Sequence, residues 1–374
     1  MNALSIALRR AAIRGPRDAR PVVLHVGEAG AVPCGIAQVL NEYLDWTFES
    51  LRVQVTASTR GRRGDPRAPG LTLLSALRIL GRRLSRRPHA VVVHLSNGGS
   101  FIREGGLAAL ARACGFPVAV QLHGSVFTPF AAAHPRLVRS VLGLADVVYV
   151  LTAETEDVVR GLAGPGARVV KVGNGVVVPA EGPAKEPVVL FGGEVGMRKG
   201  VDVLLAAWER VRAGHPGWRL VIAGPVEPEI GALPLPPATT LLGAVSRAEL
   251  QDRQARAAVA VLPSRDEALP MFLLEAMARG CAVVGTPVGD VPELLEGCGR
   301  LVPVGDTAAL AAALDELMAD PATVAALGDA GRDRVARRYS SAVLAARFER
   351  EWSALLESAR RTRPGRRSTA PGAG

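Results

Sequence analysis

The chain has 374 residues, 48% of them hydrophobic and only 4% aromatic, with a formal charge of +10 and a pI near 10.4. That length is too great for one ordinary core and predicts two domains of about 180 residues each, while nowhere do some 18 apolar residues run together as a membrane-spanning helix requires. Four widely spaced cysteines, Cys34, Cys114, Cys281 and Cys298, form no CxxC pair and argue against a zinc site or a disulfide framework, fitting a cytoplasmic protein with reduced thiols.

The chain opens on MNALSIALRRAAIRG, basic and amphipathic but without the uninterrupted apolar region of a signal peptide. A surface-lying helix and a disordered start both fit it. From Pro21 apolar strand-like runs alternate with helical stretches: Val22–Val26, Val53–Val55, Val91–Leu95, Val118–Leu122, Val147–Leu151 and Val169–Val172. Unbroken apolar strands separated by helices predict a parallel sheet covered on both faces, so residues 1–178 read as a first doubly wound α/β domain.

In that domain the loop after the first run carries Gly27, Gly30, Cys34 and Gly35, glycines that permit close backbone approach to a ligand without forming a GxGxxG fingerprint. A tight turn explains them equally well. His123 in QLHGSVF stands at a strand's carboxyl end, as does the donor-rich segment His94–Gly105, a candidate acceptor-side loop. A lone histidine in such a place is more often structural than functional.

PAEGPAKEP, residues 179–187, lacks periodicity and is the predicted linker. Beyond it strand-like runs resume at Val188–Phe191, Leu220–Ala223, Thr239–Leu242, Val259–Leu262, Ala282–Gly285 and Leu301–Val304, giving a second α/β domain over 188–340. Ser246 with Glu249 forms a capping-box pattern, and Asp320 before Pro321 marks another helix start. In FGGEVGMRKG, Gly193, Arg198 and Lys199 follow the first strand of this domain.

The stretch 259–288 carries the densest signal: strand, polar turn at Pro263–Glu267, helix from about Pro270 to Arg279, strand. Glu267 and Glu275 bracket the turn and the start of the helix. The amides of Met271, Phe272 and Leu273 fall in its first turn, where they lack intrahelical partners and form an anion site. An amphipathic run over 341–360 bears Phe348, Trp352 and Leu355 at helical spacing, and 361–374 reads as a disordered basic tail.

The string from Pro263 to Gly280, of the form PSxxExxPxxLLEAMAxG, resembles the signature of retaining, nucleotide-sugar-dependent glycosyltransferases of family 4, which have the GT-B fold. The resemblance implies two Rossmann-like doubly wound domains facing a cleft, with a C-terminal helix crossing back to the first domain. It implies that Glu267 and His123 meet the donor sugar, Glu275 the ribose and Lys199 the diphosphate, with Gly193, Leu269, Pro270, Met271, Phe272 and Leu273 around the donor. It further places Cys34, Gly35, Ser125 and Asn174 on acceptor-side or phosphate loops, and aligns 174–179 with the interdomain hinge and 288–295 with a loop leading to Glu293.

Two departures stand out: Cys34–Gly35 replaces the family's usual paired glycines, and Glu194 replaces an arginine five residues before Lys199. Arg198 is the candidate to supply the second cation. The expected reaction moves a hexose from a nucleoside diphosphate to a hydroxyl, with retention and without metal or other cofactor, since no Asp-x-Asp, HExxH or clustered His and carboxylate is present. A lipid-linked or polysaccharide-precursor hydroxyl fits as acceptor, and an anionic membrane surface fits the Arg clusters at 9–10, 60–63, 82–87 and beyond 360, as do plain solvated faces. No aromatic and basic interleaving points to nucleic acid. The competing readings are a sugar-nucleotide epimerase of the same architecture and a catalytically inactive donor-binding subunit.

Overall fold

A computed structural model describes residues 19–30, 35–60, 65–85, 87–164 and 167–361, with side chains as far as 358. Cys34, Arg62, Arg63, Arg86, the opening amphipathic segment and the tail from 362 lie outside the described residues.

Each apolar run forms a strand. The first sheet holds β1 (Val22–Glu28), β2 (Arg52–Thr59), β3 (His89–Leu95), β4 (Val118–Leu122), β5 (Val147–Val150) and β6 (Val169–Lys171) in the order β2-β1-β3-β4-β5-β6. The second holds β7 (Glu186–Gly192), β8 (Arg219–Ala223), β9 (Thr239–Leu241), β10 (Ala257–Leu262), β11 (Ala282–Gly285) and β12 (Arg300–Leu301) in the order β12-β11-β10-β7-β8-β9. Every pairing is parallel. Helices cover both faces, which is why β3, β4 and β10 are buried along their whole length.

Strand order reverses between β1 and β3 in the first sheet and between β7 and β10 in the second. At such a switch point the neighbouring loops leave in opposite directions and open a crevice at the carboxyl edge. The loops singled out above, after β1, β3, β7 and β10, are the ones that border these two crevices, and His123 follows the adjacent β4.

The expected helix starts are present: Ser246 accepts from the Glu249 amide, and Asp320 from the amides of Ala322 and Thr323. The crossing helix spans Ser341–Arg361 and drives Phe348, Trp352 and Leu355 into the core beneath β1 and β3, beside Tyr43 of the helix Gly35–Asp45. Its entry is fixed by a bridge between Val176 and Ser340.

The run 301–304 departs from expectation, because only Arg300 and Leu301 pair with β11. Pro303 has no N–H to continue an edge ladder. The segment 179–187 is tied at both ends, by Arg332 to the carbonyls of Pro179 and Ala180 and by Lys185 Nζ to those of Ala255 and Arg279 at 3.0 and 2.7 Å.

The helix Ala68–Arg82 packs on β2 through Ser75 and Ile79 and turns Leu73, Leu74, Leu77 and Leu80 outward, with Leu84 just past its end. Arg82 and Arg83 fold back onto Gln54 and the Cys114 carbonyl. The exposed stripe is therefore apolar, with Arg67 beside its start, while Arg78 donates to Thr56 Oγ1 at 2.9 Å.

Candidate active site

Lys199 ends a short 3-10 turn, Met197–Lys199, whose exit at Gly200 is left-handed with φ 71°. A Cβ at Gly200 would lie 2.0 Å from the Pro263 carbonyl oxygen, so only glycine lets this turn lie against the loop after β10. That approach sets Lys199 Nζ on Glu267 Oε1, to which Ser264 Oγ also donates at 2.8 Å. The pair is largely but not wholly enclosed.

The turn is braced from outside by Arg265, which grips both oxygens of Asp202 at 2.7 and 2.8 Å. Arg198 does not stand free as a second cation: it lies 3.4 Å from Glu194 and donates to the Asp266 carbonyl at 3.2 Å. The departure at Glu194 thus falls on the residue expected to compensate for it. Immediately beyond, the helix Met271–Ala278 starts after Pro270 with no side chain capping it, so its first amides retain their capacity to bind an anion.

Glu275, one turn on, is 3% exposed. Its Oε1 accepts from Gln38 Nε2 at 2.9 Å, Arg247 Nη2 at 2.9 Å, Arg247 Nε at 3.2 Å and Gln251 Nε2 at 3.3 Å. Arg247 also pairs with Glu42. Because Gln38 and Glu42 belong to the helix Gly35–Asp45 of the first domain, a single guanidinium and two carboxylates bind the domains together here. Burial pushes the Glu42 carboxyl upward against the opposing pull of Arg247.

On the first domain's side, the His123 amide donates to the Leu95 carbonyl at 2.8 Å, and its side chain is buried against His94, with His123 Nε2 2.8 Å from His94 Nδ1. Two residues on, Ser125 Oγ donates to Asp266 Oδ2 at 2.5 Å, bringing the His123 loop against the Glu267 loop. Asn174 donates to the Leu269 carbonyl at 3.1 Å, and Ala268 packs in the first domain's core. Gly35 begins its helix in open space.

A second closure lies on the hinge side. Lys171 of β6 reaches Asp290 at 2.5 Å and Glu293 at 2.6 Å in the second domain. Burial opposes the Lys171 charge, but the two carboxylates outweigh it and hold its pKa above the ordinary lysine value. Beside it is a cavity of about 460 Å³ lined by Lys171, Leu269, Asp290, Glu293, Tyr339 and Arg347. Lys199 and Glu267 do not line it. Among the described residues no group of three or more His, Cys, Asp or Glu side chains could hold a metal ion.

The sequence brought out Glu267, Glu275, Lys199, His123, Ser125 and Asn174, and the structure gathers them along one cleft. Gln38, Glu42, Arg247 and Gln251 escaped notice. The Ser246 cap was visible next to Arg247, but nothing local announced that the guanidinium crosses to another domain.

Two families of sequence match the chain: "Glycosyl transferases group 1" over residues 186–320 and "Glycosyl transferase 4-like domain" over 39–175. Among curated proteins, glycogen synthase of Mycobacterium tuberculosis is 29% identical over 238 residues, 59% of this chain and 57% of that protein. D-inositol 3-phosphate glycosyltransferase of Kineococcus radiotolerans is 32% identical over 182 residues, 42% of this chain and 41% of that protein. The match thus spans 57% of the length of the first of these relatives and 41% of the second. Among solved structures, sucrose-phosphate synthase of Thermosynechococcus elongatus superposes with a TM-score of 0.69 at 19% identity, covering 91% of this chain and 100% of that one. Anabaena HepE in complex with UDP gives 0.69 at 16% identity, over 89% and 99% of the two chains. Such identities speak to the fold, which is the two-sheet arrangement described above.

Proposed function

Since the chain belongs to the GT-B glycosyltransferases of the family 4 type, we propose that it moves a hexose from a nucleoside-diphosphate sugar to a hydroxyl acceptor, with retention at the anomeric carbon and without metal or other cofactor. The observation that carries this reading is the Lys199–Glu267 pair beside the uncapped start of the helix Met271–Ala278. The difficult step is breaking the bond between the anomeric carbon and the phosphate oxygen, whose electron pair leaves with the diphosphate. Lys199 and the amides of Met271, Phe272 and Leu273 are aimed at that growing charge. When the diphosphate arrives, Lys199 exchanges Glu267 for phosphate oxygens, and Glu267 turns to the sugar hydroxyls. The acceptor oxygen bonds to the anomeric carbon as its proton passes to the departing phosphate oxygen.

Glu275 orients the ribose through the oxygen that Arg247, Gln38 and Gln251 leave unused. His123 positions the hexose from the opposite domain, so closure completes the site. The HepE structures with UDP and with UDP-glucose make uridine donors the first to try. A screen of donor hydrolysis across nucleotide sugars, run in excess EDTA, is the test. Release of nucleoside diphosphate that survives the chelator is expected. Turnover that needs restored magnesium or manganese would remove metal independence, and free epimerised sugar would mean an epimerase. Donor binding without turnover would favour an inactive donor-binding subunit, the second reading that Glu194 supports.

The reading extends to an anionic membrane surface, approached through the stripe Leu73, Leu74, Leu77, Leu80 and Leu84. So contiguous an apolar face is uncommon on a soluble monomer, and Arg67 beside its start matches a negative headgroup at about 1 kcal/mol, to which Arg78 and Arg83 add if they leave Thr56 and the Cys114 carbonyl. No helix among the described residues is long and apolar enough to cross a membrane. Vesicle sedimentation should show binding to anionic and not neutral vesicles, weakened by salt, and lost in Leu77→Asp. Equal recovery in the supernatant with both vesicle types at low salt would end this reading.

A further inference from the structure

Three buried histidines form one hydrogen-bonded file beneath the cleft. His25 Nδ1 on β1 lies 2.9 Å from His94 Nε2 on β3, and His94 Nδ1 lies 2.8 Å from His123 Nε2 just past β4. His94 sits so close to β1 that a Cβ at Gly27 would come within 2.9 Å of its own Cβ. Gly27 therefore serves the file, whatever else the loop after it does.

Burial pushes His25 and His123 down to about 3 and His94 well below the ordinary value, so all three are neutral in the folded protein. A neutral imidazole has one donor and one acceptor nitrogen, and each link of the file needs one of each. Only two arrangements satisfy both links. Either all three rings carry their proton on Nδ1, or all three carry it on Nε2. The two differ at the ends: the first leaves a bare lone pair at His25 Nε2 and an N–H at His123 Nδ1, the second the reverse.

The buried end decides between them. His25 Nε2 is sealed from solvent without a partner, in an aromatic nest of Tyr43 and Trp352. Orphaned buried N–H groups are rarer than under-used acceptors. The touching ring of Trp352 carries an indole N–H that is itself buried without an acceptor, and an indole nitrogen can only donate. An N–H on His25 Nε2 would add a second orphaned donor to this nest, whereas a lone pair leaves only an under-used acceptor.

We propose that this file fixes the tautomer of His123, so that its Nδ1 always presents an N–H at the carboxyl edge of the first sheet, with His94 and His25 acting as positioning residues. Among the described residues no hydrogen bond reaches that Nδ1. The consequence for catalysis rests on the reading of His123 as a sugar contact: the ring offers a donor that needs no reorganisation and cannot serve there as a base. It would hold a hydroxyl oxygen of the donor hexose.

The test is long-range 1H–15N correlation on protein labelled at histidine nitrogen, which distinguishes Nδ1–H from Nε2–H directly. In the unliganded protein, His25, His94 and His123 should all report Nδ1–H. Finding His123 as Nε2–H, or averaging between tautomers, would overturn the proposal. In His94→Phe the His123 signal should move to a tautomer average, and kcat should fall about fivefold for loss of one preset hydrogen bond. An unchanged His123 tautomer in that variant would remove His94 from the role. If His94→Phe does not fold, His25→Phe keeps the His94–His123 link while removing the lock, and both remaining rings should then average; fixed Nδ1–H signals would count against the file. Titration with UDP-glucose separates the two claims. A His123 resonance that stays still on saturation, with Nδ1–H intact, keeps the tautomer lock and discards the sugar contact.

Discussion

The two walls of the cleft are built on opposite electrostatic plans. The second domain's wall is charged and local: Lys199, Glu267 and Arg265 lie on neighbouring turns that a glycine contact at Gly200 presses together, with Asp202 in the first turn of the helix that follows and the start of the helix Met271–Ala278 beside them. Opposite the Lys199–Glu267 pair the first domain presents neutral groups assembled from afar, His25 and His94 from two strands and His123 from the end of a third, locked by burial. Under the proposed function the difference corresponds to the two halves of a nucleotide sugar. A diphosphate leaving group needs cations and dipoles, whereas a hexose needs fixed donors and acceptors that do not change charge.

Lys199→Ala is the strongest way to break that contrast. Under the proposed function Lys199 is the cation that meets the leaving diphosphate, so its removal should lower kcat by about 10² to 10³-fold, read as donor consumption at saturation, while the neutral wall stays intact. An unchanged kcat would mean that the charged wall is structural. Glu275→Gln is next. It keeps the shape but removes the charge that gathers Arg247, Gln38 and Gln251, and should weaken nucleoside diphosphate binding by about 1.5 to 3 kcal/mol in calorimetry. Affinity equal to wild type with an intact fold would take Glu275 out of the ribose role.

The smallest effect concerns how the walls meet. The hydrogen bond from Lys171 holds the Glu293 carboxyl below its ordinary value of 4.5. A depressed carboxyl contributes to closure above that value and ceases to as pH falls through its lowered pKa, while Lys171, raised above 10.5, keeps its charge throughout. The hinge-side contact should therefore be intact from about pH 5 to 10 and loosen in acid. Small-angle scattering should show slight expansion between pH 6 and 3.5, reduced in Lys171→Met. The same expansion in that variant would place the acid response elsewhere.

What the sequence disclosed follows from how far each feature reaches along the chain. Strands such as HAVVVHL announce themselves because a doubly covered sheet demands unbroken apolar runs. The Glu267 and Glu275 string is legible because one loop and one helix carry it. The Glu42–Arg247–Glu275 bridge joins positions more than two hundred residues apart and leaves no period or spacing to read. His94 was visible only as part of a donor-rich loop, and His25 not at all, since a histidine inside a strand looks the same whether it is solvated or linked to two others. The pairing of Arg198 with Glu194 was likewise invisible, because a side chain's partner depends on how a turn is folded.

The crossing helix carries a consequence for the order in which the molecule is made. Phe348, Trp352 and Leu356 complete the core that His25, Tyr43 and Tyr149 begin, so the first domain lacks part of its interior until residues near 356 are available. Domains of a growing chain generally fold in the order they emerge. Here the second domain, 186–320, has every strand of its sheet to hand earlier than its predecessor has its last aromatic layer. The domain synthesised first is finished last, and through the intervening part of synthesis Tyr43 lacks the Phe348 and Trp352 rings and Tyr149 lacks Phe348.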